Sequence, residues 1–300
     1  MAILAALMPT TVSRYTRVLT WVTLAVQIGI VVTGGAVRLT ASGLGCPQWP
    51  TCDGTSIVTT PEMGIHGLIE FGNRLLTFLL ALVAIAMFLA VVRVRPKRRD
   101  LFWLALTIGL GIPAQAVIGG ISVLVKLNPY VVGLHFVVSI AMVCLSTILV
   151  EQTHPLSAKT QIRHVSGGTA LALTVAVFQG ITIIIGILTT GSGPHSGDAH
   201  APRNGLDTYL LERWHSIPAY IALALTVIFL VLAVAQRNRQ IAIPVLLLLV
   251  VNLAQAAVGI AQSRLGLPVL LVGTHMLLAC LVAATTTHVV YRVRLTRASA

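Results

Sequence analysis

Residues 65–92 read "IHGLIEFGNRLLTFLLALVAIAMFLAVV". The second part is an unbroken apolar run. The first part carries His66, Glu70, Asn73 and Arg74. On a helix, residues three and four apart share a face, so His66, Glu70 and Asn73 point roughly one way. Ionisable groups at the end of a membrane helix are costly and mark function. Arg74 is also suited to snorkelling toward the interface, a reading that does not suit Glu70.

The rest of the chain has the same character. It holds 300 residues, 56% hydrophobic and 9% charged, with a mean hydropathy of +0.93. A soluble domain would be about 25% charged. Apolar runs at about 18–37, 68–92, 101–125, 131–150, 168–189, 214–235, 241–262 and 269–291 each approach the roughly 20 residues that span a bilayer. They predict an all-α integral membrane protein with eight transmembrane helices. The runs are too long and uninterrupted for barrel strands.

The net charge of +12 would point to nucleic acid in a soluble protein. Here it sorts by side. With the N-terminus in the cytoplasm, 14 of the 20 basic residues fall inside, among them the run "RVRPKRR" at 93–99 together with Lys159, Arg163 and Arg297. The rule of positive inner loops then puts both termini in the cytoplasm and the two long loops, about 38–66 and 190–213, outside. The basic residues are a topology signal, and no nucleic-acid partner is expected. The opening "MAILAALMPTT" lacks a basic n-region and a cleavage site and reads as a tail, not a signal peptide.

The chain repeats itself. "AQAVIGG" (114–120) returns as "AQAAVGI" (254–260), and "VVGLH" (131–135) as "LVGTH" (271–275), both at an offset of 140. "IEFGNR" (69–74) falls on "LERWHS" (211–216), which sets Glu70 on Glu212 and Asn73 on His215. "QIGIVVTGG" (27–35) resembles "QGITIIIGI" (179–187), and "TASG" (40–43) lies in the same place as "TGSG" (190–193). Four helices followed by four related helices predict two four-helix bundles, residues 1–157 and 158–300, related by a pseudo-two-fold axis along the membrane normal.

Of nine histidines, four sit near the outer ends of the even-numbered helices: His66, His135, His215 and His275. His154, His164, His195 and His200 fall in loops, and His288 near an inner helix end. A lone histidine at a helix end is an ordinary interfacial residue, but repeat-related ones are not. His215 and His275, on the sixth and eighth helices of one bundle, would clamp a flat cofactor, and two axial imidazoles make a low-spin haem site. Zinc would want a tetrahedron, to which Glu212 could add a ligand. In the first half His135 matches His275, but Asn73 replaces the partner of His215, and an amide is a poor iron ligand. His66 lies seven residues earlier, nearly on the same face but about 10 Å further along the helix. It either ligates an iron seated well outward or lines the rim.

The outer stretch "VRLTASGLGCPQWPTCDG" (37–54) places Cys46 and Cys52 around a short turn. A stapled loop is one reading, and a thiol pair exchanging electrons with a partner is the other. Cys144 and Cys280 read as small apolar fillers. Arg38 and Arg74 pair with a cofactor carboxylate or snorkel to lipid phosphate.

The stretch "GGAVRLTASGLGCPQWPTC" (34–52), the glutamate box opening the second helix and one histidine on each of the fourth, sixth and eighth helices resemble the haem A synthases of prokaryotic type, over about 18–292. The resemblance implies oxidation of the C8 methyl of haem O to a formyl group, supplying haem A to a terminal cytochrome oxidase. It implies a haem b cofactor on His215 and His275 in the second bundle, and a substrate haem near His135 in the first. The family's second substrate-side histidine falls on Asn73, where this sequence departs, and its essential glutamate falls on Glu70. A second cysteine pair carried by some members is absent from "GPHSGDAHAPRNG" (193–205). Glu70 is then expected to handle protons or to stabilise positive charge at the methyl carbon. Expected partners are haem O, a haem O synthase, the oxidase assembly machinery, an unknown electron donor and the lipid bilayer of the cell membrane. Two rivals are a b-type electron-transfer cytochrome without chemistry and a transporter built from parallel repeats. The second would want polar groups near the bilayer midplane, whereas here they gather at helix ends.

Overall fold

The computed structural model describes residues 7–154 and 165–297. Residues 1–6 of the opening tail, Lys159, Arg163 and His164, the side chain of Arg297 and the bundle boundary at 157/158 lie outside what is described. Eight long helices run in order: α1 (Arg14–Leu39), α2 (Gly64–Val92), α3 (Arg99–Leu124), α4 (Pro129–Thr153), α5 (Gly168–Ser192), α6 (Thr208–Ala235), α7 (Arg239–Arg264) and α8 (Val269–Arg297). A single 3-10 turn, Pro61–Met63, leads into α2. Among the described residues there is no strand, and all eight helices are long and apolar enough to cross a membrane.

The helices extend past the apolar runs at the polar ends. α6 starts at Thr208, six residues before the run at 214, so Glu212 and His215 lie inside it. The run ends where side chains turn polar, but the backbone continues its own hydrogen bonding as long as that is the cheapest way to satisfy it. Polar caps close several ends. Ser13 forms a capping box with Thr16, while Asn128, Asp207 and Asn238 accept from Tyr130, Leu210 and Ile241 backbone N–H groups.

The chain divides into two compact units, α1–α4 with the segment Pro194–Asn204, and α5–α8. In the first, α1 packs on α2 and α4, and α3 packs on the same two, closing a four-membered ring of helices. In the second, α5 packs on α6 and α8, and α7 closes that ring in the same way. The buried core of each unit lies toward the end away from the long loops. In the first it is built from Leu80, Met87 and Val91 on α2, Leu101, Ile108 and Ile112 on α3, and Met142 and Leu149 on α4. In the second it is built from Val175, Phe229, Val245, Leu248, Val289 and Val293. Neither core reaches the level of His135, His215 or His275, where the helices are lined by half-buried side chains.

The long-loop end of the first unit is covered by chain. Cys46 and Cys52 are joined by a disulfide. Arg74 on α2 grips the loop so closed: its guanidinium donates to the carbonyls of Thr51, Cys46 and Gln48, each at 3.0 Å, and to Glu70 Oε1 at 2.6 Å. Glu70 Oε2 accepts from the Cys46 N–H at 2.5 Å. Beyond the staple Asp53 closes an Asx turn, and hydrogen bonds from Ser56 and Thr55 hold its carboxyl below the usual carboxylate range. The segment Pro194–Asn204 lies on this same end: Arg38 Nε donates to the His195 carbonyl at 2.6 Å and Gly43 N–H to the Gly197 carbonyl at 2.8 Å.

Thiol labelling of protein kept from reductant should therefore find neither Cys46 nor Cys52 free. Arg74→Ala removes charge-assisted bonds worth about 2 kcal/mol. It should speed reduction of the disulfide by added dithiol on the order of tenfold. An unchanged reduction rate would show that the grip does not hold the loop.

Candidate functional site

In the second unit His215 on α6 and His275 on α8 face each other across the ring of helices, with ring centroids 6.2 Å apart and planes at 64°. The Nδ1 of His215 lies 2.9 Å from the Thr182 carbonyl of α5. A carbonyl only accepts, so Nδ1 carries the proton and Nε2 keeps a free lone pair, as in imidazoles that bind a metal through one nitrogen while the other donates to a backbone carbonyl. His275 Nε2 stands 3.2 Å from the Gln255 amide nitrogen on α7, and its Nδ1 is buried without a hydrogen-bond partner.

Both rings rest on glycine. A Cβ at Gly186 of α5 would lie 2.8 Å from the His215 ring, and one at Gly259 of α7 would lie 3.1 Å from the His275 ring. The pattern returns in the first unit. His135 on α4 lies against Gly119 of α3, where an added Cβ would stand 3.3 Å away, and its Nδ1 is likewise buried without a partner. The Gln115 amide on α3 donates to the His135 carbonyl at 3.1 Å and to Ser139 Oγ at 2.5 Å. Asn73 on α2 faces Gly34 of α1, with a Cβ there 3.9 Å from its amide nitrogen. Asn73 Oδ1 accepts from Thr33 Oγ1 at 2.8 Å.

The glycines are the site residues that inspection of ionisable groups passes over. Their signal was nevertheless in the repeats: Gly119 and Gly259 carry the same offset as His135 and His275, and Gly34 and Gly186 occupy one position in the two aligned "QIGI" and "QGIT" stretches.

The second-unit pair fits a haem. A metal–imidazole bond is about 2 Å, so two imidazoles ligating one ion from opposite sides hold their centroids about 6 Å apart. The observed spacing matches that. A zinc site does not fit as well: among the described residues no cluster of three or more His, Cys, Asp or Glu side chains exists, and Glu212 accepts a hydrogen bond from Ser263 Oγ on α7. The fit rests on two facing imidazoles, glycine-backed rings and half-buried surroundings above a dense core.

The remaining expected residues divide otherwise. Glu70 and Arg74 are brought together with Cys46 and Cys52 in the loop grip, not with Asn73. His66 is exposed in the first turn of α2, and its Nδ1 lies 2.9 Å from Ser42 Oγ, a position at the rim. Arg38, half-buried at the end of α1, holds the His195 carbonyl.

If the glycine backing matters, Gly186→Ala should displace the His215 ring. Loss or splitting of any low-spin haem absorbance in the purified protein is the expected outcome, with helix content by circular dichroism unchanged. Wild-type absorbance in Gly186→Ala would mean that the ring does not need the backbone contact.

Comparison with known proteins bears on the whole arrangement. The family model COX15-CtaA, described as "Cytochrome oxidase assembly protein", matches residues 17–287. A "Heme A synthase" of Listeria welshimeri is 25% identical over 270 residues, covering 85% of this chain and 88% of the relative. Two shorter matches are stronger locally. A "Heme A synthase" of Bacillus pumilus is 33% identical over 141 residues, 45% of this chain and 44% of the relative. One of Lysinibacillus sphaericus is 33% identical over 148 residues, 46% of this chain and 47% of the relative. With the family model spanning nearly all eight helices and both histidine sites, the chain belongs to the COX15-CtaA family of cytochrome oxidase assembly proteins.

Proposed function

We propose that this protein is a haem A synthase, a membrane oxidoreductase that converts the C8 methyl of haem O to a formyl group for a terminal cytochrome oxidase. The observation that carries the reading is the pair of glycine-backed imidazoles 6.2 Å apart in one unit, set against an altered counterpart in the other. One unit is built to hold a cofactor permanently. The other keeps one histidine, His135, an amide at Asn73 and a covered outer end, as suits a substrate that must enter and leave. The names of the relatives support the same activity.

In this reading His215 and His275 hold haem b, which supplies one-electron transfer when bound. The Thr182 carbonyl and the Gly186 and Gly259 backbones fix the two rings for that task. His135 meets the iron of haem O, its ring backed by Gly119 and its helix tied by Gln115. Asn73, bonded to Thr33, contributes a polar contact and no metal bond. His66 serves the rim through Ser42. Methyl to formyl is two successive two-electron oxidations with gain of one oxygen, so positive charge develops at the carbon. Glu70 is the carboxylate assigned to that charge. Both of its oxygens are already engaged, by Cys46 N–H and Arg74, so it acts as a fixed charge held in place more readily than as a mobile proton carrier. Arg38 remains the candidate for a haem carboxylate at the end of α1.

The first bundle, through residue 157, is then the substrate half and the second, from 158, the cofactor half. The excess of basic residues on the short-loop side supports a cell-membrane topology with the long loops outside. Haem O arrives from a haem O synthase, and the product leaves for the oxidase.

Mass spectrometry of haem extracted after supplying haem O, a reductant and dioxygen to the purified protein tests the activity. Appearance of haem A supports it, while unchanged haem O with a normal haem spectrum favours an electron-transfer cytochrome. His215→Ala and His275→Ala should each abolish the second-unit spectrum while the protein still inserts. Glu70→Gln should keep that spectrum yet cut haem A formation by about two orders of magnitude, in line with loss of one charge-stabilising group. Wild-type haem A yield from Glu70→Gln would remove Glu70 from the mechanism. Asn73→His should be tolerated, since it restores the pairing of Glu212 and His215. His66→Ala should lower turnover only modestly, and complete loss would instead make His66 a ligand.

A further inference from the structure

The disulfide loop reaches across from α2 to α3. While Arg74 and Glu70 hold its ends on α2, the indole of Trp49 at its tip lies directly against Gly120 of α3, where an added Cβ would collide with the Cγ, Cδ2 and Cε2 atoms of the ring. Gly120 is the residue after Gly119, which backs the His135 ring. Adjacent helix residues differ by about 1.5 Å in height and about 100° in direction. The indole and the His135 imidazole are therefore at one level of α3, on neighbouring sectors of its surface. Trp49 is only half-buried there.

The second unit has none of this. The residue at the offset of Gly120 is Ile260, which is 42% exposed, and the segment that follows α5, Pro194–Asn204, belongs to the first unit. The glycine that backs a histidine is thus common to both halves, but the second glycine, which admits an indole, occurs only in the half assigned to the substrate.

We propose that Trp49 is a positioning residue for haem O: its indole, seated on Gly120 and held by the Glu70–Arg74 grip on the loop, forms a wall beside His135 against which the macrocycle packs. The proposal rests on the reading of the first unit as the substrate half. An aromatic ring packed on a flat macrocycle gains contact area and favours offset or edge-on geometry, which fixes rotation about the iron–histidine axis. Rotation is what decides which methyl meets the oxidising position, and a single histidine cannot set it. A cofactor held between His215 and His275 would have none of its ring methyls to bring to an oxidising position, so it would have no need of such a wall. Glu70 and Arg74 then have a second task, holding Trp49 at the right depth.

The test uses full-length protein and measures haem O binding by absorbance titration, the ratio of hydroxylated to formyl product, and the second-unit haem spectrum. Trp49→Ala should weaken haem O binding on the order of tenfold and raise the share of hydroxylated product, with the second-unit spectrum intact. Gly120→Ala keeps the indole but displaces it, and should reproduce both effects. Trp49→Phe, which keeps a flat ring, should recover binding to within about threefold of wild type. Ile260→Ala, at the matching place in the second unit, should change neither quantity. Haem O binding and product ratio within twofold of wild type in both Trp49→Ala and Gly120→Ala would overturn the proposal. So would loss of the second-unit spectrum together with haem O binding in these variants and in Trp49→Phe, since the ring would then be merely structural. Because binding is read without turnover, wild-type protein that binds haem O and yields no haem A would count against the activity and leave the wall standing. Wild-type protein that makes haem A with an unaltered product ratio in Trp49→Ala and Gly120→Ala, and unaltered binding, would count against the wall alone.

Discussion

An imidazole can lie edge-on against a neighbouring helix only where that helix offers no Cβ. That constraint recurs at every histidine that matters here. Gly119, Gly186 and Gly259 each take the Cε1–Nδ1 edge of a ring from the next helix in the chain, and Gly34 leaves room in the same way at Asn73. The helix pairs involved, α1–α2, α3–α4, α5–α6 and α7–α8, are also consecutive in sequence and joined as packed neighbours. Close approach at these points sets how far apart α6 and α8 stand, and hence the 6.2 Å between their histidines. A methyl group at one of those glycines would push a ring by a few tenths of an ångström or more, on the scale that separates a metal bond from a contact.

The two units answer the same constraint to different ends. Both put a dense apolar core at the end away from the long loops and leave the histidine level half-buried. In the second unit, two imidazoles face each other. In the first, one imidazole is left, and the chain invests in cover instead: a disulfide, an arginine with four acceptors, a carboxylate with two donors, and an indole on a second glycine. A carboxylate and a guanidinium at a membrane helix end would be costly alone. Paired with each other and with loop backbone groups, they satisfy one another and the loop together.

Much of this was legible in the sequence. The eight apolar runs located the helices because a bilayer demands about 20 apolar residues per span. The offset of 140 located His275 from His135, and the cysteine spacing pointed to the staple. What the sequence does not show is the loop that Glu70 and Arg74 hold. Their spacing puts them on one helix face, which is correct, but helical periodicity says nothing about a loop folding back over that face. The carbonyls of Cys46, Gln48 and Thr51 carry no residue-type signature, so a side chain that binds backbone is invisible to any reading of residue types. The same holds for Thr182, whose carbonyl sets the tautomer of His215.

Asn73 shows how the two kinds of information combine. By type alone it is a lost ligand. By position it keeps the glycine opposite, Gly34, but with 3.9 Å to a built Cβ against 2.8 Å at the equivalent Gly186, so the smaller amide sits further from the neighbouring helix. Its carbonyl oxygen is bonded to Thr33, one residue before that glycine. An imidazole placed here would find Thr33 where its counterpart His215 has Ile185, and would need a carbonyl on α1 to fix its tautomer as Thr182 does on α5. Ile30 of α1 stands at the place of Thr182 by the same offset, and its carbonyl lies 3.2 Å from the Thr33 hydroxyl, which already covers it. The first unit thus keeps the glycine opposite the position that aligns with His215 while carrying an amide there in place of an imidazole.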